Sequence, residues 1–188
     1  MEHETEKQLI AGIKEDPSLF GLLFDKHYKA IFGYVYRRTG AYEITQDICS
    51  ETFLKAFLNI HKFQWKGVPI SFWLYRIANN EIQLYFRKQK FVPRSLELLI
   101  ETMDWDTTDP ASTLEEKQQA EKEMQQHEEF RYIQNEIMKL PLLYQEVLAL
   151  RYFEQKSIKD IAAITEKKEG TVKSLLSRGI EKLRQLVG

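Results

Sequence analysis

The chain has 188 residues, of which 43% are hydrophobic and 12% aromatic, so it can build one medium-sized or two small hydrophobic cores. Its 29% of charged residues and its lack of an apolar run near about 18 residues argue against a disordered chain and a membrane protein. The start, MEHETEKQLI, is acidic and polar, which argues against export. One cysteine, Cys49, and four scattered histidines argue against a disulfide and a structural zinc. We therefore expect a cytoplasmic protein with no cofactor and no metal.

The net charge of -1 hides an uneven distribution along the chain. Residues 1–92 carry 13 Lys and Arg against 10 Asp and Glu, residues 93–138 carry 4 against 12, and residues 139–188 carry 10 against 6. Two mildly basic ends therefore flank an acidic middle. The average charge consequently does not exclude a nucleic-acid partner for the two ends.

Three amphipathic helices are predicted in the first half of the chain. The first begins at Asp16-Pro17, an N-cap followed by proline in the first turn, and ends at Gly40, which can act as a C-cap. The second runs from about Tyr42 to Ile60, and the third from about Ser71 to Lys90 after a loop with one glycine and one proline. The second helix also presents an outer edge of charged residues spaced by four, namely Glu43, Asp47, Glu51 and Lys55.

The composition changes after Pro93. DWDTTDPAST has turn residues and little apolar periodicity, and EEKQQAEKEMQQHEE is nearly all polar, so residues 93–127 are predicted to be a flexible acidic linker. A last helical block begins near Glu128, and no strand-like alternating run occurs. The predicted fold class is therefore all-α, with two small helical domains joined by the linker.

The last 48 residues have the pattern of a helix-turn-helix. Ser157 and Asp160 form a predicted capping box for a short helix that ends near Ile164. A second helix, from Gly170 to Val187, has one apolar face and one face of hydroxyl and basic side chains, which suits a DNA major groove. An ordinary helical hairpin with a solvated face fits the pattern about equally well. The polar face carries Thr171, Lys173, Ser174, Ser177 and Arg178.

Basic and aromatic residues alternate between Phe63 and Lys88, which is typical of proteins that bind single-stranded DNA. Bases stack on aromatic rings while cations follow the phosphates. Asn79 and Asn80, predicted beside Arg76 on a helix surface, are poor helix formers whose amides can read base edges. The alternative is that the aromatic residues simply form the core.

Two blocks of sequence, in this order and spacing, resemble a known family. WLYRIANN with FRKQK follows a helix that reads DICSETFLKAF, and an acidic stretch precedes LPLLYQEVLALRYFEQKSIKDIA and EGTVKSLLSRGIEKLR. The chain resembles bacterial RNA polymerase sigma factors of the extracytoplasmic-function (ECF) class over nearly its whole length. The resemblance implies a region 2 domain at 1–92, a linker in place of region 3 at 93–127, and a region 4 domain at 128–188.

The resemblance also implies roles for individual residues. Asp47 and Glu51 are implied to bind core RNA polymerase. The loop from Gln64 to Ile70, called the base-capture loop below, is implied to hold a base flipped out of the minus-10 element, with Trp65 and Lys66 as contacts. The other implied roles are minus-10 recognition for Arg76, Asn79, Asn80 and Gln83, phosphate contacts for Arg87, Lys88 and Lys90, and minus-35 recognition for Thr171, Lys173, Ser174, Ser177 and Arg178.

The sequence departs from the family pattern at three places. Leu84 replaces a frequent aspartate of the third helix, and Leu175 replaces a frequent arginine of the recognition helix. The turn Thr165–Lys168 lacks the usual glycine, so it is either looser or brings Lys167 and Lys168 to DNA. These departures concern the promoter more than the class of protein.

The resemblance implies three partners: core RNA polymerase, promoter DNA and an inhibitory anti-sigma factor, which in this class is often membrane-bound. The chain shows no phosphate-binding glycine loop and no catalytic or metal constellation, so we do not expect an enzyme. Two alternatives remain at this point. One is a stand-alone helix-turn-helix regulator, which would dimerise on a palindrome, and the other is a helical adaptor that binds no nucleic acid.

Overall fold

In a computed structural model, residues 2–65, 67–89 and 131–187 are described, with the backbone alone for residues 2–4. These residues form helices and contain no strand. The predicted all-α fold with two helical domains is confirmed. The N-terminal domain consists of α1 (Glu2–Glu15), α2 (Phe20–Thr39), α3 (Tyr42–Asn59) and α4 (Ile70–Gln89), and the C-terminal domain of α5 (described at 131–138), α6 (Leu142–Leu148), α7 (Ile158–Thr165) and α8 (Glu169–Val187).

The core of the N-terminal domain lies between α2, α3 and α4, which contact one another pairwise. The Asp16 carboxylate accepts from the Ser18 amide at 3.0 Å and caps a short 3-10 turn, Pro17–Leu19, that leads into α2, whereas α2 itself begins at Phe20 without a side-chain cap. The predicted C-cap of α2 is present, because Gly40 ends the helix in the left-handed region. Cys49 is fully buried in this core, and burial raises the pKa of its thiol to about 12. A buried thiol with a raised pKa has little of the thiolate that would act as a nucleophile.

Helix α1 is an element that the sequence pattern did not predict. Its apolar contact with the rest of the N-terminal domain includes Ile10 and Ile13, which are almost fully buried. The rest of its surface is mostly polar, so its apolar pattern is too sparse to predict a helix by periodicity. The helix is stabilised instead by tertiary contacts with the rest of the N-terminal domain.

The C-terminal domain is built around α6 and α8. Helix α6 passes directly into one π-helical turn, Ala149–Phe153. The side-chain amide of Gln145 donates to two carbonyls of the turn before α6, those of Met138 (2.9 Å) and Leu140 (2.8 Å). The predicted capping box of α7 is present in full between Ser157 and Asp160. Glu166 then adopts the left-handed conformation with φ +55°, the conformation that a glycine most often supplies.

The predicted linker, 93–127, lies outside the described residues. Among the residues that are described, no helix is long and apolar enough to cross a bilayer. Within the same residues, no group of His, Cys, Asp and Glu side chains is arranged to hold a metal ion.

Candidate nucleic-acid interface

The outer face of α4 collects most of the residues predicted to read the minus-10 element. Arg76, Asn80, Gln83 and Arg87 follow one another at helical spacing, so they share one stripe, and Lys88 lies next to it. Asn80, Gln83, Arg87 and Lys88 are exposed. The stripe combines amide groups, which pair with base edges, and cations, which pair with phosphates.

A groove of about 350 Å³ lies beside this stripe, between α3, α4 and residues 62 and 63, which directly precede the base-capture loop. Its walls include the Phe63 and Trp73 rings, whose centroids are 5.1 Å apart, and the exposed Asn80. Lys55 lies at its edge and forms ion pairs with Glu81 at 2.8 Å and Glu51 at 3.1 Å. Aromatic walls with two amides, those of Asn59 and Asn80, and charged groups match the needs of an unstacked base.

The base-capture loop is described except at residue 66. Trp65 is half-buried and packs against the core of the domain, so only part of its ring is available to a base. Lys66, predicted as the second contact, lies outside the described residues. Gly67 and Val68 form the exposed tip of the loop, and Gly67 has φ +75°.

The predicted surface position of Asn79 is wrong. Its side chain is only 6% exposed, and its Oδ1 atom accepts a hydrogen bond from Nη1 of Arg38 at 2.6 Å. Arg38 is fully buried, and the same nitrogen donates to the Tyr34 hydroxyl at 2.8 Å. A buried guanidinium must be paired, and Asn79 supplies one of its acceptors. The role of Asn79 as a base contact stays a prediction that this geometry does not support.

Arg76 is engaged by the C-terminal domain. Its Nη2 and Nε atoms donate to the carbonyls of Ala163 (2.8 Å) and Ile164 (3.2 Å), which are among the last of helix α7, and Nη1 pairs with Glu166. A guanidinium at the carboxyl end of a helix satisfies carbonyls that have no partner within the helix. In this arrangement Arg76 holds the turn of the helix-turn-helix and is not free to contact DNA.

Further contacts join the two domains around Glu154. Its carboxylate is 9% exposed and accepts hydrogen bonds from Arg37 of α2 and the Tyr75 hydroxyl of α4, both at 2.6 Å. The Lys156 ammonium lies 5.4 Å from the centroid of the Tyr75 ring. The face of α4 that contains Tyr75 and Arg76 is therefore covered by the C-terminal domain.

The polar face of α8 is exposed. The five residues predicted to read the minus-35 element, Thr171, Lys173, Ser174, Ser177 and Arg178, are all exposed. Leu175, one of the departures from the family pattern, is buried with Val172 and Leu176 and belongs to the domain core. In the turn before α8, Lys167 lies 3.8 Å from the buried Glu146 and faces the protein, whereas Lys168 is exposed.

The predicted polymerase-binding residues Asp47 and Glu51 are exposed on α3. The structure adds two side chains that the sequence reading missed: Leu54 and Leu58 are 50% and 57% exposed and continue the same helix face. Large apolar side chains beside an acidic row are typical of a protein interface. Both leucines lie outside the apolar stripe of α3 that faces the core, so their exposure could have been predicted from the sequence.

Comparisons with known proteins agree with this architecture. The family model for Sigma-70 region 2 matches residues 23–92, and the model for Sigma-70, region 4 matches residues 130–183. The ECF RNA polymerase sigma factor SigW of Bacillus subtilis is 31% identical over 98% of this chain and 97% of its own length. This chain belongs to the ECF sigma factors of the sigma-70 family.

Other relatives and solved structures support the same assignment. The ECF RNA polymerase sigma-E factor of Haemophilus influenzae is 29% identical over 99% of this chain and 97% of its length. The ECF sigma factor BldN of Streptomyces coelicolor is 27% identical over 89% of the chain, which spans 60% of that relative's length. The fold resembles CnrH, solved with the cytosolic domain of CnrY, with a TM-score of 0.67, 18% identity, and coverage of 97% of this chain and 96% of CnrH.

Sigma factors are transcription initiation factors, and this family is not known for enzymes. A sigma factor directs RNA polymerase to promoters, and one matched region covers α2 to α4 while the other covers most of the C-terminal helices of this chain. The region 2 match begins at residue 23, so α1 precedes the matched part of the family.

Proposed function

We propose that this sigma factor binds core RNA polymerase and selects promoters by reading two separate DNA elements. Helix α8 reads a double-stranded minus-35 element, and α4 with the base-capture loop binds one strand of a melted minus-10 element. The observation that carries the proposal is the presence, on two domains of one chain, of two helix faces that combine basic and hydrogen-bonding side chains. The domain limits 1–92, 93–127 and 128–188 are part of this proposal.

The minus-35 reading rests on the exposed face of α8. Lys173 and Arg178 can donate to guanine edges or phosphates, and the hydroxyls of Thr171, Ser174 and Ser177 can pair with either. The capping box of α7 and the buried leucines of α8 hold this helix on a rigid domain. A helix held in this way can enter the major groove as a unit.

The minus-10 reading rests on the α4 stripe and the groove beside it. Flipping a base costs a few kcal/mol of lost stacking, which ring contacts and hydrogen bonds to the base edge can offset. Asn80 and Gln83 supply amides on the stripe, and the Phe63 and Trp73 rings supply apolar walls. Binding energy therefore drives strand separation, and we propose no catalytic activity for the chain.

The minus-10 reading requires the domains to separate. Helices α4 and α7 are in direct contact here, and this contact engages Arg76, one of the residues proposed to bind the minus-10 strand. Arg76 becomes available to DNA only when it leaves the carbonyls of Ala163 and Ile164. The structure thus represents a closed arrangement, and promoter binding uses an open one.

Core polymerase and an anti-sigma factor are the proposed protein partners. Asp47, Glu51, Leu54 and Leu58 form one face of α3 that combines charge with exposed apolar area, as a polymerase-binding surface requires. CnrH was solved with the cytosolic domain of CnrY, and RpoE of Bartonella quintana, with a TM-score of 0.62 and 21% identity over 89% of this chain and 96% of its own, with the anti-sigma factor NepR. By analogy we propose such an inhibitor here.

Run-off transcription tests the proposed function directly. Purified core polymerase from a matched host is mixed with a promoter library, with and without this protein, and the transcript starts are sequenced. We expect starts that depend on the protein and share a two-block upstream motif. Lys173→Ala and Arg178→Ala should weaken these starts, whereas Lys7→Ala, a change at an exposed lysine of α1 far from the reading face, should not. A symmetric footprint without polymerase would instead indicate a stand-alone regulator.

A further inference from the structure

Helix α1 contacts the base-capture loop at both of its ends. At the entry of the loop, the Lys14 ammonium donates to the Phe63 carbonyl at 2.8 Å. At the exit, the Ile70 amide donates to Oε2 of Glu6 at 3.1 Å. Both bonds come from a helix that precedes the part of the chain matched by the region 2 family model. The loop is thus fastened by an element outside the matched domain.

The Glu6 carboxylate is buried and lies close to two basic side chains. Its side chain is 6% exposed, and Oε1 lies 3.5 Å from the Lys26 ammonium and 3.4 Å from Nε2 of His27. Burial lowers the pKa of His27, against the opposing effect of Glu6, so Lys26 supplies the positive charge at neutral pH. A buried carboxylate is unfavourable unless it is paired, and the Ile70 amide with Lys26 provides that pairing.

The Ile70 amide is also the first amide of helix α4. The first amides of a helix have no partner within the helix, and a carboxylate is favoured at this end by the helix dipole. Glu6 therefore stabilises the start of α4 and fixes the point where the loop ends. It does so across 64 residues of sequence, from a different helix.

Fastening the ends of a short loop matters for capturing a base. Ordering one residue of a free loop costs about 1–2 kcal/mol in lost backbone entropy, and a loop that is already held does not lose that energy again on binding. Between Phe63 and Ile70 only six residues remain, one of them a glycine with φ +75°. Holding both ends therefore limits where the two ends of this short loop can move.

We propose that α1 is a positioning element for the base-capture loop, with Glu6 and Lys14 as positioning residues that hold its two ends ready for an unpaired base. The inference rests on the proposed minus-10 role of the loop. Neither residue needs to touch DNA, because each acts through the backbone of residue 63 or 70. Loss of either contact weakens binding of the melted strand and leaves the minus-35 contact and polymerase binding unchanged.

The test uses the reconstituted holoenzyme and two DNA probes. The first is a fluorescent single strand with the non-template minus-10 sequence of a promoter mapped by run-off transcription, and the second is a duplex with its minus-35 element. We expect Glu6→Ala to weaken the single-strand affinity about tenfold, which corresponds to about 1.4 kcal/mol, with the duplex affinity unchanged. Lys14→Ala should weaken it about threefold, because the ammonium is exposed and its bond is worth less.

Matched variants separate positioning from general damage. Glu6→Gln keeps an oxygen that accepts from the Ile70 amide, so we expect it to recover most of the single-strand affinity. Glu15→Ala and Lys7→Ala change exposed residues of the same helix and serve as controls. In the full chain, hydrogen exchange at the Ile70 amide should be faster in Glu6→Ala and slow in Glu6→Gln.

The results that would refute this inference differ from the result that would refute the proposed minus-10 function. If Trp65→Ala weakens single-strand binding while Glu6→Ala and Lys14→Ala do not, the positioning role is refuted and the loop keeps its function. If Glu6→Ala lowers both DNA affinities and polymerase binding together, the residue is merely structural and the inference is also refuted. If no holoenzyme binds the single strand, the proposed minus-10 role fails and the inference falls with it. If Glu6→Ala does not fold, the single-strand affinities of Glu6→Gln and Lys14→Ala still test whether α1 positions the loop.

Discussion

Removal of the Glu154 carboxylate should open the contact between the two domains. Glu154 is nearly buried and receives hydrogen bonds from Arg37 and from the Tyr75 hydroxyl, both across the interface. In Glu154→Ala the Tyr75 hydroxyl, on a residue that is 2% exposed, has no acceptor in the closed arrangement, whereas Arg37 can still reach water. Opening returns both groups to solvent, so the change favours the open arrangement.

The magnitude follows from the loss of the hydrogen bond of the buried Tyr75 hydroxyl. Loss of a hydrogen bond to a charged group, with one partner left buried, costs about 1.5–3 kcal/mol. At 1.4 kcal/mol for each factor of ten, the ratio of open to closed molecules should rise about 10- to 150-fold. In Tyr75→Phe/Glu154→Ala the hydroxyl without an acceptor is absent, so part of the closed population should return.

Energy transfer between dyes on the two domains measures this opening. Gln46→Cys on α3 and Glu181→Cys on α8 provide exposed attachment sites, and the native Cys49 is buried and stays unlabelled. We expect high transfer for the parent protein, lower transfer for Glu154→Ala, and no change for the exposed control Glu169→Ala. Equal transfer for the parent and Glu154→Ala, or low transfer in the parent, would refute the reasoning.

Four further predictions concern stability, pH and charge. Ser157→Ala removes the capping box of α7 and should destabilise the C-terminal domain by about 1 kcal/mol in denaturant unfolding, and an unchanged midpoint would contradict this. Gly40→Ala should destabilise by about 1–2 kcal/mol, because φ is +67° and the new Cβ would lie 2.9 Å from Met138, whereas Gly21→Ala, with open space around it, should be neutral or stabilising. Burial raises the pKa of Glu146 above its ordinary 4.5, so the folded state binds its proton more tightly and stability is lost as pH rises from 4.5 through the raised value. Thermal melts of Glu146→Gln should lack this loss, while those of the exposed control Glu169→Gln keep it. Replacing the acidic residues of 93–127 by amides should strengthen promoter binding by the free chain, because these charges compete with DNA phosphates for the basic ends, and equal gel-shift affinities would count against the idea.

The long amphipathic helices and their caps could be predicted from the sequence alone. Local sequence determines the boundaries of α2, α3 and α4 and the capping box of α7, because these features depend on residues within a few positions of one another. They can therefore be predicted from the spacing of apolar and capping residues. The same holds for the exposed face of α8, because its apolar side determines which side chains are left outside. The family followed from two motif blocks in the right order.

Helix α1 and its role could not be predicted in this way. Only Ile10 and Ile13 show strong burial among its apolar residues, and the bond from Ile70 to Glu6 spans 64 residues. A helix that is stabilised by such contacts has little local signature. The missed exposure of Leu54 and Leu58 differs, since their position off the inward stripe was already visible in the sequence.

Asn79 and Asn80 show most directly what the sequence determined and what tertiary structure decided. Both are asparagines in the same turn of α4, and the pattern correctly placed them on a helix. Asn79 is internal because Arg38, 41 residues earlier on α2, needs an acceptor in the core, and Asn80 stays exposed. Arg76 likewise has a side chain suited to binding DNA, yet here it donates hydrogen bonds to the last carbonyls of α7. Local periodicity determines which residues form a helix, but only packing between distant segments decides what each polar side chain binds.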